Sequence, residues 1–171
     1  MRRKLNLIFG LLLFFAAGCA VLLFDSTVAA QTGDEKAVAE VLRKNADAFA
    51  RNDMATLQKI WANDESVTVF EGGHANYGWT DYRDNHLAPE MKEMKNTKYE
   101  YSDIKTKVSG NMAYATMKYT IFGDIDKRHV DGAGLATAVL EKMNGGWKIV
   151  HWHSSAPRRA APPNPTPAKK P

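Results

Sequence analysis

Two histidines one residue apart, His151 and His153, lie in the run Trp147-Lys148-Ile149-Val150-His151-Trp152-His153-Ser154 near the C-terminal end of this chain. A third, His86, follows Tyr82 at helical spacing, and Glu71 ends the β-branched and aromatic run that starts at Val67. Imidazoles titrate nearest to neutrality, and burial can push a carboxyl group there, so proton transfer in this chain would draw on His86, His153 and Glu71 as catalytic residues. Trp79, Tyr82, Tyr101 and His151 are the candidate ligand-binding residues. Aromatic walls with a few converging polar groups are what a small-molecule pocket requires. A His-x-His pair on a strand can instead present two imidazoles to one metal, with Glu71, His74 or His86 as further ligands. The plainer reading assigns these histidines to packing at a sheet end or a subunit interface, and we expect no metal and no cofactor. Trp61, Trp79 and Tyr82 are more often core than ligand cage in proteins at large. The sequence has no Ser-His-Asp order, phosphate loop or zinc-type cysteine spacing.

These side chains must be positioned by an α+β framework. Thr32 to Arg51 reads as a helix, with capping-box spacing from Thr32 to Glu35 and with Val38, Val41, Leu42, Asn45 and Phe49 on one face. Asp53 is placed to cap a second helix striped by Met54, Leu57, Ile60 and Trp61. Val67–Glu71 reads as a strand ended by Gly72-Gly73, and a third helix starts near Thr80 or Asp81, with Pro89 breaking or kinking it. Strands follow at Lys98–Val108, Met112–Phe122, His129–Lys142 and Trp147–Ser154, with a loop from Gly123-Asp124 and a hairpin turn at Asn144-Gly145. Helices first and antiparallel strands afterwards predict an α+β cone, in which three N-terminal helices pack in a curved antiparallel sheet. A period of two puts Val69 and Glu71 on one face of the first strand. The same period puts Trp147, Ile149, His151 and His153 on one face of the last strand, with Val150 and Trp152 opposite. Gly132 and Gly134 are read as relief of crowding in a bent strand.

The run Gly78-Trp79-Thr80-Asp81-Tyr82-Arg83 with His86-Leu87, and the closing Gly146–Ser154 stretch, resemble the SnoaL-like branch of the nuclear transport factor 2-like superfamily. The resemblance covers about Asp34 to Pro157 and implies the cone fold, also called cystatin-like. Steroid isomerases and polyketide cyclases share that fold. The closing stretch with Ala156-Pro157 is also similar to the end of the calcium/calmodulin-dependent protein kinase II association domain, which implies assembly. Two departures limit the analogy. The position of the steroid isomerases' aspartate base holds Val69 and that of their helix-one tyrosine falls near Asn45, so that chemistry is not expected, and Glu71 is the possible substitute. Where the association domain carries pocket arginines, this chain has Lys118 and Ala138.

Composition agrees with one globular domain. The chain has 171 residues, 44% hydrophobic and 25% charged. Its net charge of +4 comes from its ends, because residues 31–156 hold 16 basic and 18 acidic residues. A near-neutral domain lacks the electrostatic footprint of nucleic-acid binding. Residues 1–30 read as a signal peptide, with Arg2-Arg3-Lys4, the apolar run 5–24 and small residues at Val28-Ala29-Ala30, or alternatively as an uncleaved membrane anchor. Lipoprotein processing at Cys19, the only cysteine, is a third reading. Each reading exports residues 31–156, to the periplasm or beyond, and membrane contact is expected only through an uncleaved leader. Residues 157–171 are a proline-rich tail. The expected function is to hold a small apolar or aromatic ligand in the cone, with or without acid/base chemistry. The rival is a non-catalytic association module, and a homodimer or larger homo-oligomer is compatible with both.

Overall fold

The structure, a computed structural model, describes residues 32–157. The leader, Cys19 and most of the tail lie outside the described residues. Helix α1 (residues 32–50) turns Val38, Leu42, Asn45 and Phe49 inward, the spacing that its amphipathic pattern requires. It ends at Asn52, whose φ of 62° places it in the left-handed region. Asp53 N bonds to Ala48 O and Asn52 N to Phe49 O, at 2.8 and 3.0 Å, which satisfies the terminal carbonyls as in a Schellman motif. Asp53 then caps α2 (Met54–Ile60) by accepting from the Thr56 N–H at 3.0 Å.

Strand β1 (Thr68–Glu71) turns at Gly72-Gly73, both at positive φ, into β2 (His74–Tyr77). The sequence expectation ended at that turn, because β2 lies at the sheet edge and has no hydrophobic alternation to reveal it. Helix α3 is built of Trp79–Tyr82, a π turn over Arg83–Leu87, and Ala88–Glu93. The break at Pro89, one of the two expected outcomes beside a kink, is therefore corrected. Proline cannot donate to the carbonyl four residues back and its ring crowds that carbonyl, but the wider turn, in which Ala88 N–H reaches Arg83 O, accommodates it and the helix continues.

Four long strands follow: β3 (Met94–Ser109), β4 (Met112–Ile125), β5 (Arg128–Met143) and β6 (Gly146–Ser155). The expected loop at Gly123-Asp124 is part of β4, paired with Val130 and His129. The six strands form one sheet in the order β2-β1-β6-β5-β4-β3. All neighbours are antiparallel except β1 and β6, which run parallel. The expected all-antiparallel sheet is corrected at that one junction: a parallel pair needs a long crossover, and α3 with β3 to β5 supplies it. Ala113, Ala115, Ala136 and Ala138 are buried on the central strands. Their small side chains leave room inside the sheet for the helices and for larger groups at one end.

The last strand departs from its simple period. Leu140 pairs with Ile149 while Val139 pairs with His151, so Val150 is an extra residue in β6. This bulge reverses the parity beyond it. Trp147 and Ile149 point inward, but so do Trp152 and Ser154, all buried, while His151 and His153 move to the outer face. The expectation that His151 and His153 share a face with Trp147 is therefore corrected.

Candidate functional site

Inside the cone, a cavity of about 170 Å³ lies between α1, α2, α3 and the inner face of the sheet. Its aromatic walls include Trp61, Tyr82, Tyr101 and Trp152. Its titratable groups gather from two elements: Glu71 at the end of β1, and His86 and Glu90 one helical turn apart on α3. No lysine or arginine lines the cavity among the described residues.

The His86 ring is oriented from behind. Asp81 accepts hydrogen bonds from Asn85, Asn76 and the Tyr77 N–H, which hold its carboxyl below the usual range. Because Asn76 Nδ2 donates to Asp81 at 3.0 Å, Asn76 Oδ1 is left as the acceptor for His86 Nδ1 at 2.8 Å. In the neutral ring Nδ1 therefore carries the proton and Nε2 is a bare acceptor facing the cavity. Nε2 stands 3.8 Å from Glu71 Oε2 and 4.0 Å from Glu90 Oε2, too far for hydrogen bonds. Glu71 is fixed by its other oxygen, which accepts from Ser154 Oγ at 2.6 Å. Burial first, then the charges of Glu71 and Glu93, push the Glu90 carboxyl up to about 7. The three acceptors lie within 4.8 Å of one another, a set that also offers three ligand atoms to a cation.

The facing wall is a hydroxyl network. Trp61 Nε1 donates to Asn45 Oδ1 at 2.8 Å, which orients the Asn45 amide to donate to the Tyr101 hydroxyl at 3.0 Å. The Tyr99 ring meets the Tyr101 ring edge-on, with centroids 5.0 Å apart. The Tyr101 oxygen thus accepts from Asn45, and its own proton is available to the cavity. Tyr82 is 6% exposed and its hydroxyl has no hydrogen-bond partner among the described residues. Burial, with Glu71 and Glu90 nearby, raises its pKa well above the ordinary value, so it stays a neutral donor.

The structure brings together Glu71, His86, Tyr82 and Tyr101 of the residues expected from sequence. It does not bring in His151, His153 or Trp79. His153 is exposed, and both imidazoles meet Phe70 edge-on across the outer face, with ring centroids 5.4 Å away for His151 and 6.4 Å for His153. His151 Nδ1 bonds to Thr68 Oγ1 at 2.7 Å, and burial with the neighbouring His153 lowers its pKa. A metal shared by His151, His153 and Glu71 is excluded, because the imidazoles and the carboxylate lie on opposite sheet faces. Trp79 is stacked on Trp61 at 5.7 Å, behind the wall, with its indole N–H buried and unpartnered. Sequence reasoning missed Glu90, Asn76, Ser154 and Trp152 as site residues. Glu90 did carry a signal, being four residues after His86, but an expected helix break at Pro89 hid it. Trp152 and Ser154 were concealed by the bulge.

The family profile for the SnoaL-like domain matches residues 38–159. No curated protein matches. Among solved structures, a nuclear transport factor 2-like superfamily protein from Salmonella enterica serovar Typhimurium is 16% identical, with a TM-score of 0.70 over 79% of this chain and 99% of that chain. A candidate ketosteroid isomerase from Shewanella frigidimarina is 25% identical, with a TM-score of 0.62 over 70% of this chain and 94% of that one. A protein with a cystatin-like fold from Novosphingobium aromaticivorans is 13% identical, with a TM-score of 0.64 over 80% of this chain and 90% of that chain. The likenesses fix the cone fold, and the match over most of the domain identifies the chain as a member of the SnoaL-like domain family.

Proposed function

We propose that the domain binds a small, mostly aromatic or apolar molecule in the cone and moves a proton on it. The observation that carries this reading is an aromatic cavity whose titratable groups converge at one end. Glu90, with its carboxyl near 7, serves as the acid and His86 Nε2 or Glu71 as the base, while the Tyr101 hydroxyl faces charge that develops on the ligand. Size narrows the ligand. A dry cavity of about 150 Å³ holds benzene, so 170 Å³ suits a one-ring compound and is too small for a four-ring steroid. The likeness to a candidate ketosteroid isomerase supports the cone with its pocket and not that family's catalytic machinery, since Val69 stands where its base is expected and any base here would be Glu71 or His86.

A panel of one-ring aromatic compounds, read by thermal shift and by quenching of Trp61 and Trp152 fluorescence, tests the reading. Binders with micromolar to low-millimolar affinity are expected, weakened at least tenfold in Tyr101→Phe or Trp152→Ala. If no compound shifts the parent protein, the pocket reading is wrong.

A second reading, self-association, is favoured by the outer sheet face, where Phe70, Tyr114 and Leu135 are 38, 53 and 62% exposed. It is compatible with the first because the cavity lies on the other face. Export through residues 1–30 belongs to the same proposal, supported by the basic start, the apolar run and the small residues before Gln31. Intact mass of the secreted protein tests it: a chain beginning at Gln31 is expected, and a full-length membrane-bound chain would replace cleavage with anchoring.

A further inference from the structure

The proposed pocket has a surplus of hydrogen-bond acceptors at its polar end, close enough together to share one cation. Glu71 Oε2, Glu90 Oε2 and the bare His86 Nε2 meet no hydrogen-bond donor among the described residues, and no lysine or arginine neutralises them. Their separations are 3.8 Å and 4.0 Å from His86 to the two carboxylates, with all three atoms within 4.8 Å. Three acceptors each about 2.8 Å from a tetrahedral nitrogen lie about 4.6 Å apart. The same acceptors around a zinc ion at about 2.1 Å would lie about 3.4 Å apart, and closer still around an octahedral ion. The observed 3.8 and 4.0 Å exceed the zinc spacing and fall short of the ammonium one, so the choice between the two cations rests on the aromatic lining. Around the same cavity, Trp61, Tyr82, Tyr101 and Trp152 supply aromatic rings, a class of group whose quadrupole attracts cations. The Tyr82 hydroxyl, on a largely buried side chain that lines the cavity, has no partner among the described residues and remains as a donor for a second polar atom on the ligand.

From these observations we infer that the ligand is a primary amine bound as its ammonium ion, on a body of about one aromatic ring. The three N–H groups of the ammonium pair with Glu71, Glu90 and His86, and the ring occupies the aromatic part of the cavity. This inference rests on the pocket reading and adds the charge of the ligand to it; it does not use Glu90 as an acid, because Glu90 meets the ammonium as a carboxylate. It excludes carboxylates and phosphates as preferred ligands, because the two glutamates would repel them.

Isothermal titration of the purified protein at pH 7.5 tests it with four probes: 2-phenylethylammonium, the neutral 2-phenylethanol, the anion 3-phenylpropanoate, and zinc or manganese ions. The ammonium probe is expected to bind at least tenfold more tightly than the alcohol, and the anion not at all. In Glu71→Gln/Glu90→Gln that preference is expected to vanish while alcohol binding persists. The comparison on the parent protein needs no variant, so a misfolded double variant leaves it decisive. Equal or tighter binding of the alcohol would overturn the amine inference and leave the pocket standing. Binding of no organic probe would remove both. One-to-one binding of zinc or manganese that blocks the ammonium probe, or occurs without ammonium binding, would overturn the inference in favour of a metal.

Discussion

The acid end of the cavity depends on Glu90, a side chain whose meaning lies in its surroundings. On an open helix its carboxyl would titrate near 4.5, whereas burial and the charges of Glu71 and Glu93 raise it to about 7. The sign of the consequence follows from linkage. Between those two values the folded protein binds a proton that the unfolded chain has already released, so this group's contribution to stability is fully present below about 4.5 and is lost as pH rises through 7. The side chain is still 36% exposed, and solvent screening keeps this effect to about 1–2 kcal/mol. Chemical denaturation of Glu90→Gln across pH 4 to 8 is expected to remove that part of the decline. A pH profile unchanged from the parent would show that Glu90 is not the proton holder. His86, Glu71, Tyr82 and Tyr101 were legible in the sequence because their chemistry is intrinsic to the residue type. Glu90, Ser154 and Asn76 were not, since their roles consist of what they face across the fold.

At the scale of elements, two irregularities decide which residues enter the cavity. The extra residue Val150 sends Trp152 and Ser154 inward and His151 and His153 outward. Strand alternation can be read from sequence, but one inserted residue inverts it without altering composition. That is why the last strand was correctly located and its faces were wrongly assigned. The π turn over Arg83–Leu87 is the second irregularity. It accommodates Pro89 and sets His86 against Asn76 on one side and the two glutamates on the other. Pro89→Ala removes the steric cause of the wide turn. Closing to ordinary i→i−4 bonding would recover part of the roughly 3 kcal/mol helix penalty of proline while rotating His86 out of register. The expected outcome is a higher Tm with at least tenfold weaker binding of the best one-ring ligand. A variant that gains stability and keeps full affinity would mean that the turn is not what aligns the site.

For the whole molecule, the helices-then-strands order and the amphipathic stripes made the cone legible, because the location of the core depends on pattern rather than on individual contacts. Partner surfaces are less legible. The outer sheet face mixes Phe70, Tyr114 and Leu135 with Lys118 and His153, and alternation alone calls such a face solvated. Yet a face that leaves Leu135 62% exposed and also carries half-exposed aromatic rings is costly to hydrate, and a two-fold pairing would cover the same residues on both copies. The residues 31–156 are close to electrical neutrality, so charge repulsion does not oppose that pairing. Light scattering of the parent at tens of micromolar is expected to give twice the monomer mass, and Leu135→Glu to give the monomer with the cavity ligand still bound. A parent protein that scatters as a monomer at that concentration would sink the pairing. If Leu135→Glu instead lost the ligand along with the partner, pocket and interface would be coupled, contrary to their placement on opposite faces of one sheet.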